Sequence, residues 1–193
     1  MRAEDVVLLL LAAGRSDRFG DADKLEQPFL HKPLAFHVVT ALEAVPFKAR
    51  VAVVSRTSLD FAARGYDVVH NPRPDAGQGH SLALCMQAAR VHDAKAVLIA
   101  LADMPRVTAA HIWRLLDEAK GPDAVVASSD GHAPCPPALF GANHFDTLET
   151  VEGDRGARAL IRAGHHVIAS PAELIDIDTP RDLAELRTKY GVD

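Results

Sequence analysis

The apolar residues of this chain fall into two alternating patterns, and that alternation leaves few folds open. Short runs at 6–11, 51–54, 67–69, 96–102, 124–127 and 167–169 are apolar at nearly every position. A strand reads this way when a parallel sheet is covered on both faces. Between the runs, Leu34, His37, Val38, Ala41 and Leu42 recur at helical spacing. So do Leu82, Cys85, Met86 and Ala89, and then Ile112, Leu115, Leu116 and Ala119. Near the end, Thr179-Pro180-Arg181-Asp182 combines an N-cap, a proline at the first helical position and an acid at the third. Strand alternating with helix predicts a three-layer α/β/α sandwich, Rossmann-like, with a mostly parallel sheet. Such sheets present ligands at the carboxyl ends of their strands. No internal repeat or linker divides the 193 residues, which are read as one domain, 1–193. Two stretches rich in turn formers, 71–79 and 128–137, read as long loops, and long loops inside a compact domain are usually functional.

Charge narrows the choice of partner. A net charge of -5 argues against a general grip on nucleic acid or on an anionic membrane. A small anionic substrate needs only a local basic loop. The two cysteines, Cys85 and Cys135, form no C-x-x-C pair, so neither a disulfide nor a zinc framework is expected and a reducing cytoplasm is the expected location. The opening MRAEDVVLLLLAAGR places acids before an apolar run of strand length, unlike a signal peptide.

Five motifs carry the chemistry. Leu11-Ala12-Ala13-Gly14-Arg15-Ser16-Asp17-Arg18-Phe19-Gly20, followed by Lys24, leaves the first strand directly. Small residues there let backbone N–H groups approach an anion, and Arg15, Arg18 and Lys24 supply charge suited to a triphosphate. The loop matches neither G-x-G-x-x-G nor G-x-x-x-x-G-K-[ST]. In Leu101-Ala102-Asp103-Met104-Pro105 a carboxylate stands at the end of the most apolar strand, as a magnesium ligand or as a turn residue. In Asp176-Ile177-Asp178, alternation sends both carboxylates to one side, for a metal or merely at a helix start. Gly77-Gln78-Gly79-His80-Ser81 permits close approach to a base or sugar, with Ser81 as cap or ligand. In 153–158, Arg155 and Arg158 either brace a turn or meet the phosphate of a second substrate.

In that order, these segments resemble the MobA-like NTP transferases, and within them the enzymes that cytidylylate molybdenum cofactor. The resemblance covers nearly the whole chain. It implies the fold of nucleotide-diphospho-sugar transferases and a reaction in which CMP passes from CTP to the terminal phosphate of molybdopterin, releasing pyrophosphate. It further implies that Leu11, Ala12, Ala13, Gly14 and Arg15 line the nucleotide. Arg18 and Lys24 would hold the triphosphate, with Lys24, Arg18 and Asp103 catalytic. Asp103 and Asp178 would hold Mg²⁺, Gly79 and Ser81 would lie by base and ribose, and Arg155 and Arg158 would bind the acceptor. A molybdenum hydroxylase would receive the product. Cytidylyl-transferring members read Ala-Ala-Gly at the loop, as here, and guanylyl-transferring ones Leu-Ala-Gly-Gly, so Ala13 favours CTP. The segment HAPCPPALF departs from the family's usual glycine-histidine-proline form. Other readings left open are a guanylyltransferase on the same acceptor, a sugar-phosphate nucleotidyltransferase, and a binding module that carries nucleotide or molybdenum cofactor without catalysis.

Overall fold

A computed structural model of the chain describes residues 1–14, 16–20, 22–150 and 155–191, with backbone only for 155 and 156. In chain order the elements are β1 (Val6–Ala12), β2 (Pro28–Phe29), β3 (Lys32–Pro33), α1 (Ala35–Leu42), β4 (Ala49–Val54), β5 (Asp67–His70), α2 (Gln78–Arg90) and β6 (Ala96–Leu101). They continue as α3 (Ala109–Glu118), β7 (Val125–Ser129), β8 (Pro134–Gly141), α4 (Phe145–Thr150), α5 (Arg155–Ala163), β9 (His165–Ile168) and α6 (Pro180–Lys189). Seven strands form one sheet in the order β5-β4-β1-β6-β8-β7-β9. β5, β4, β1 and β6 run parallel. β8 is antiparallel to β6 and to β7, while β7 and β9 pair in parallel.

The central strands are apolar throughout because they serve two cores. Val6, Leu8 and Leu10 enter one cluster with Val38, Leu42, Ile112 and Leu115, on the side of α1 and α3. Val7 and Leu9 enter the other with Leu82, Cys85, Met86 and Leu148, on the side of α2 and α4. Side chains a strand apart by one residue point to opposite faces, so both periods are filled. A third cluster docks α6, through Leu183 and Leu186, onto Phe29, Leu34 and Ile177. Its capping box is complete: Thr179 Oγ1 accepts from Asp182 N–H at 3.1 Å, and Asp182 Oδ2 accepts from Thr179 N–H at 2.7 Å.

Two expectations need correction. The stretch 128–137 is not one loop: from Pro134 it becomes β8, wedged between β6 and β7. Three prolines around a cysteine read as a turn, yet residues 138–140 (Ala, Leu, Phe) are fully buried and tertiary packing decides. β5 is an edge strand, and Asp67 and Val68 are exposed, so its apolar run is covered on one side only.

Candidate active site

Three chain segments meet at the carboxyl end of β1 and β6. The two strands run in register, Leu11 opposite Leu101, and Ala102 N–H donates to Leu11 O at 3.0 Å. This sets the 11–24 loop beside Asp103. The third segment arrives from the far end of the sequence, where Ile177 N–H donates to Asp103 O at 3.0 Å. Ile177 is wholly buried, so the alternation expected of an extended segment turns Asp176 and Asp178 to the cleft.

Lys24 ties the three together. Its Nζ donates to Asp103 Oδ2 at 2.6 Å and to Asp178 Oδ1 at 3.3 Å. Asp178 Oδ2 also meets Arg18 at 3.2 Å. Burial alone would push the Lys24 ammonium to lose its proton, but the charges and hydrogen bonds of Asp103 and then Asp178 together outweigh it, and its pKa rises above the ordinary lysine value. Asp176 keeps an exposed face, yet the cleft walls desolvate its carboxyl. With the negative charges of Asp103 and Asp178 added, its pKa is raised. The turn carrying Lys24 is fixed locally: Asp23 Oδ1 accepts from Leu25 N–H at 2.9 Å and from Ser16 Oγ at 3.2 Å.

On one bank of the cleft lies a compartment of about 320 Å³ bounded by Leu11, Ala13, Gly14, Gly77, Gln78 and Ser81. Gly77 sits at φ +88, a conformation other residues enter only with strain, and no side chain caps α2 behind it. Ser81 does not cap the helix. It is buried and accepts from Asn71 Nδ2 at 2.9 Å, while Asn71 Oδ1 accepts from Arg73 N–H. His80 borders none of these compartments.

A central compartment of about 410 Å³ joins this one through Leu11, Gln78, Leu101, Asp103 and Arg158. Its walls bring in residues the sequence did not mark: Cys135 and Pro136 of β8, and Arg162 and Ile161 of α5. Arg162 was findable, because it lies four residues after Arg158 on the same helical face. Arg158 borders both compartments and so is shared between banks. Arg15 lies outside the described residues, as does the side chain of Arg155. Ala12 is buried at the strand end. His37 lies half in the core, where Nε2 meets Phe29 O at 2.8 Å and burial lowers its pKa. Both cysteines are free thiols, and burial pushes Cys85 to about 12 and Cys135 to about 11.

Asp103 Oδ1 is buried without a hydrogen-bond partner among the described residues. An orphaned carboxylate oxygen in a cleft is a vacant acceptor. Among the described residues no three His, Cys, Asp or Glu side chains are grouped to hold an ion by themselves. Magnesium asks less, since one or two carboxylates suffice when phosphate oxygens and water complete its shell. Asp103 and Asp178 fit that donor set.

A glycine-bearing loop with cations, carboxylates across a strand-end cleft and a mostly parallel sheet define a nucleotidyltransferase-type α/β sandwich. The chain belongs to the family described as the MobA-like NTP transferase domain, whose model matches residues 8–167. It is 30% identical over 209 residues to the purine catabolism protein PucB of Bacillus subtilis, covering 97% of this chain and 98% of that one. In fold it resembles a nucleotidyl transferase from Methanothermobacter thermautotroptrophicus, at TM-score 0.79 and 21% identity over 96% of this chain and 97% of the other. It also resembles the molybdopterin-guanine dinucleotide biosynthesis protein A of Archaeoglobus fulgidus, at TM-score 0.66 and 18% identity over 96% and 98%. Among the described residues no helix is long and apolar enough to cross a membrane.

Proposed function

We propose that the chain transfers CMP from CTP to the terminal phosphate of molybdenum cofactor and releases pyrophosphate, with Mg²⁺ held by Asp103 and Asp178. The observation that carries this is the buried Lys24 bridging those two carboxylates beside the loop 11–14. A phosphate acceptor is already ionised at neutral pH, so the chemistry needs no general base. The difficulty is bringing one anion to another. Lys24 is held charged by its carboxylate partners, and once a triphosphate enters it stands ready to carry the charge that develops at the α-phosphate. Arg18 is exposed and closes over the same carboxylate from the loop side. When bound, magnesium would supply charge neutralisation across the phosphate oxygens. Arg158 and Arg162 supply a cationic wall for the acceptor phosphate. Ala13 is buried and borders the nucleotide compartment, where its methyl group takes up room that a pyrimidine leaves free and a purine needs. The molybdenum acceptor is supported by the name of the Archaeoglobus relative in fold, and a molybdenum hydroxylase would take the product.

The test is a competition of CTP, GTP and ATP at equal concentration with purified protein, Mg²⁺ and molybdenum cofactor, reading pyrophosphate and the dinucleotide formed. The cytosine product should dominate. A dominant guanine product overturns the base assignment, and no product with any base overturns the acceptor.

A further inference from the structure

Two uncharged polar side chains, Gln78 and Ser81, border the compartment beside the loop 11–14. Gln78 carries a donor and an acceptor on one amide, which can turn either way. Ser81 has no such freedom, and the reason lies one residue beyond β5. Asn71 N–H donates to Val54 O at 2.7 Å, which carries the pairing of β4 and β5 past the end of the strand and fixes the backbone there. Asn71 is only 3% exposed and borders neither compartment. Arg73 N–H donates to Asn71 Oδ1 at 2.8 Å, and a backbone N–H can only donate, so the amide cannot be turned round. Asn71 Nδ2 is therefore the donor in its 2.9 Å contact with Ser81 Oγ.

That contact takes one lone pair of a hydroxyl that is itself buried. The Ser81 proton has no acceptor among the described residues. A buried donor left unmade is costly, so the O–H turns to the compartment that Ser81 borders. The nucleotide atom that meets it must be an acceptor. Cytosine and uracil both carry the acceptor O2, so a donor there separates nothing. A donor opposite N4 of cytosine meets another donor and favours the O4 of uracil. At N3 cytosine offers a lone pair and uracil an N–H, so a fixed donor there accepts cytosine and refuses uracil.

We propose that Asn71 is a positioning residue for base recognition: it locks the Ser81 hydroxyl as a donor toward the nucleotide compartment, where it meets N3 of cytosine and excludes uracil. The inference rests on the nucleotidyl-transfer reading above and states how the same compartment tells one pyrimidine from the other. Ala13 bears on ring size, whereas Asn71 and Ser81 bear on hydrogen-bond polarity.

Asn71→Asp tests this by reversing the polarity at nearly constant volume. One carboxylate oxygen keeps the bond from Arg73 N–H, the other accepts from Ser81 O–H, and a Ser81 lone pair then faces the compartment. Binding of CTP and of UTP to the full chain is measured by calorimetry with Mg²⁺ and without any acceptor, so turnover plays no part. The parent protein should favour CTP by about ten- to a hundredfold, the scale of one buried donor left facing another. The new negative charge weakens both triphosphates alike, so the ratio of the two affinities is the readout. Asn71→Asp should bring that ratio to one or below. Ser81→Ala should bring it close to one, and adding Asn71→Asp to Ser81→Ala should change it no further, which a merely structural role of Asn71 does not predict. A ratio retained in either single variant, or moved by Asn71→Asp when Ser81 is absent, overturns the proposal. Equal binding of CTP and UTP by the parent overturns it too and leaves the nucleotide reading standing. A preference that depends on Asn71, with no pyrophosphate released when acceptor is supplied, keeps the positioning role and removes only the reaction. No binding of either nucleotide overturns both.

Discussion

The two banks of the cleft are built in opposite ways. The proposed nucleotide bank is local: β1 leads into the segment that carries Lys24, and Ser16, Asp23 and Lys24 fix one another within nine residues of sequence. The proposed acceptor bank is assembled from distant pieces, with Pro136 from an antiparallel strand, Arg158 and Arg162 from α5, and Asp176 and Asp178 from just before α6. A short loop on a buried parallel strand can fix its groups by local hydrogen bonds, as Ser16, Asp23 and Lys24 do. A wall made of three separate elements depends instead on how those elements pack against one another.

If this contrast is right, damage at the seam between the banks should be worst. Asp103→Ala should lower turnover by about a thousandfold at saturating Mg²⁺, with circular dichroism unchanged, because it removes the carboxylate that holds Lys24 while keeping the main-chain carbonyl that holds Ile177 N–H. Near-normal turnover would break the comparison at its centre. Lys24→Ala should slow the single-turnover chemical step by about a hundred- to a thousandfold, with a smaller loss of nucleotide affinity. An unchanged single-turnover rate with weaker binding would make Lys24 a ground-state ligand only.

The arginines sharpen the division. Arg162→Ala should raise the acceptor's KM by about tenfold and leave the nucleotide's KM alone, whereas Arg158→Ala should raise both, since Arg158 borders both compartments. Steady-state kinetics with each substrate varied in turn will read this. Equal profiles for the two variants would dissolve the distinction.

The smallest effect concerns how the acceptor wall is held. Ser128 Oγ donates to Pro137 O at 2.7 Å, so the 2.7 Å contact between Ser128 Oγ and His111 Nε2 requires the imidazole to be the donor. His111 Nδ1 is then a buried acceptor without a partner among the described residues, and burial lowers the pKa of this histidine. The unfolded chain takes up its proton near the ordinary value of about 6.5 while the folded chain resists it. Stability should thus fall as pH drops below that value, by roughly a few degrees of Tm. His37, also lowered, adds in the same direction. His111→Gln should flatten the slope, and a Tm that does not change between about pH 7 and pH 5 would remove both assignments.

How far the sequence foretold this follows the same divide. The 11–24 loop, the Asp103 strand end and the Thr179 cap were all legible, because each is a local pattern with a local cause. The alternation of Asp176, Ile177 and Asp178 was legible too, and only the burial of Ile177 could show which way the carboxylates turn. β8 was not, since its prolines speak for a turn and its strand character comes from neighbours on both sides. That Arg158 touches both compartments depends on how α5 sits over the cleft, which no spacing encodes.

The bond from Ile177 N–H to Asp103 O has a consequence for how the molecule loses function. The carboxylate pair is completed by a segment 154 residues away from Lys24, held by α6 against a small cluster of its own, separate from the two cores of the sheet. Partial openings follow such seams, because a satellite cluster gives way at lower free energy than the main sheet. Opening of this cluster alone would leave the sheet intact and separate Asp178 from Lys24 and Asp103. On the proposed reading, activity should be lost with the docking of α6 before the sheet itself unfolds.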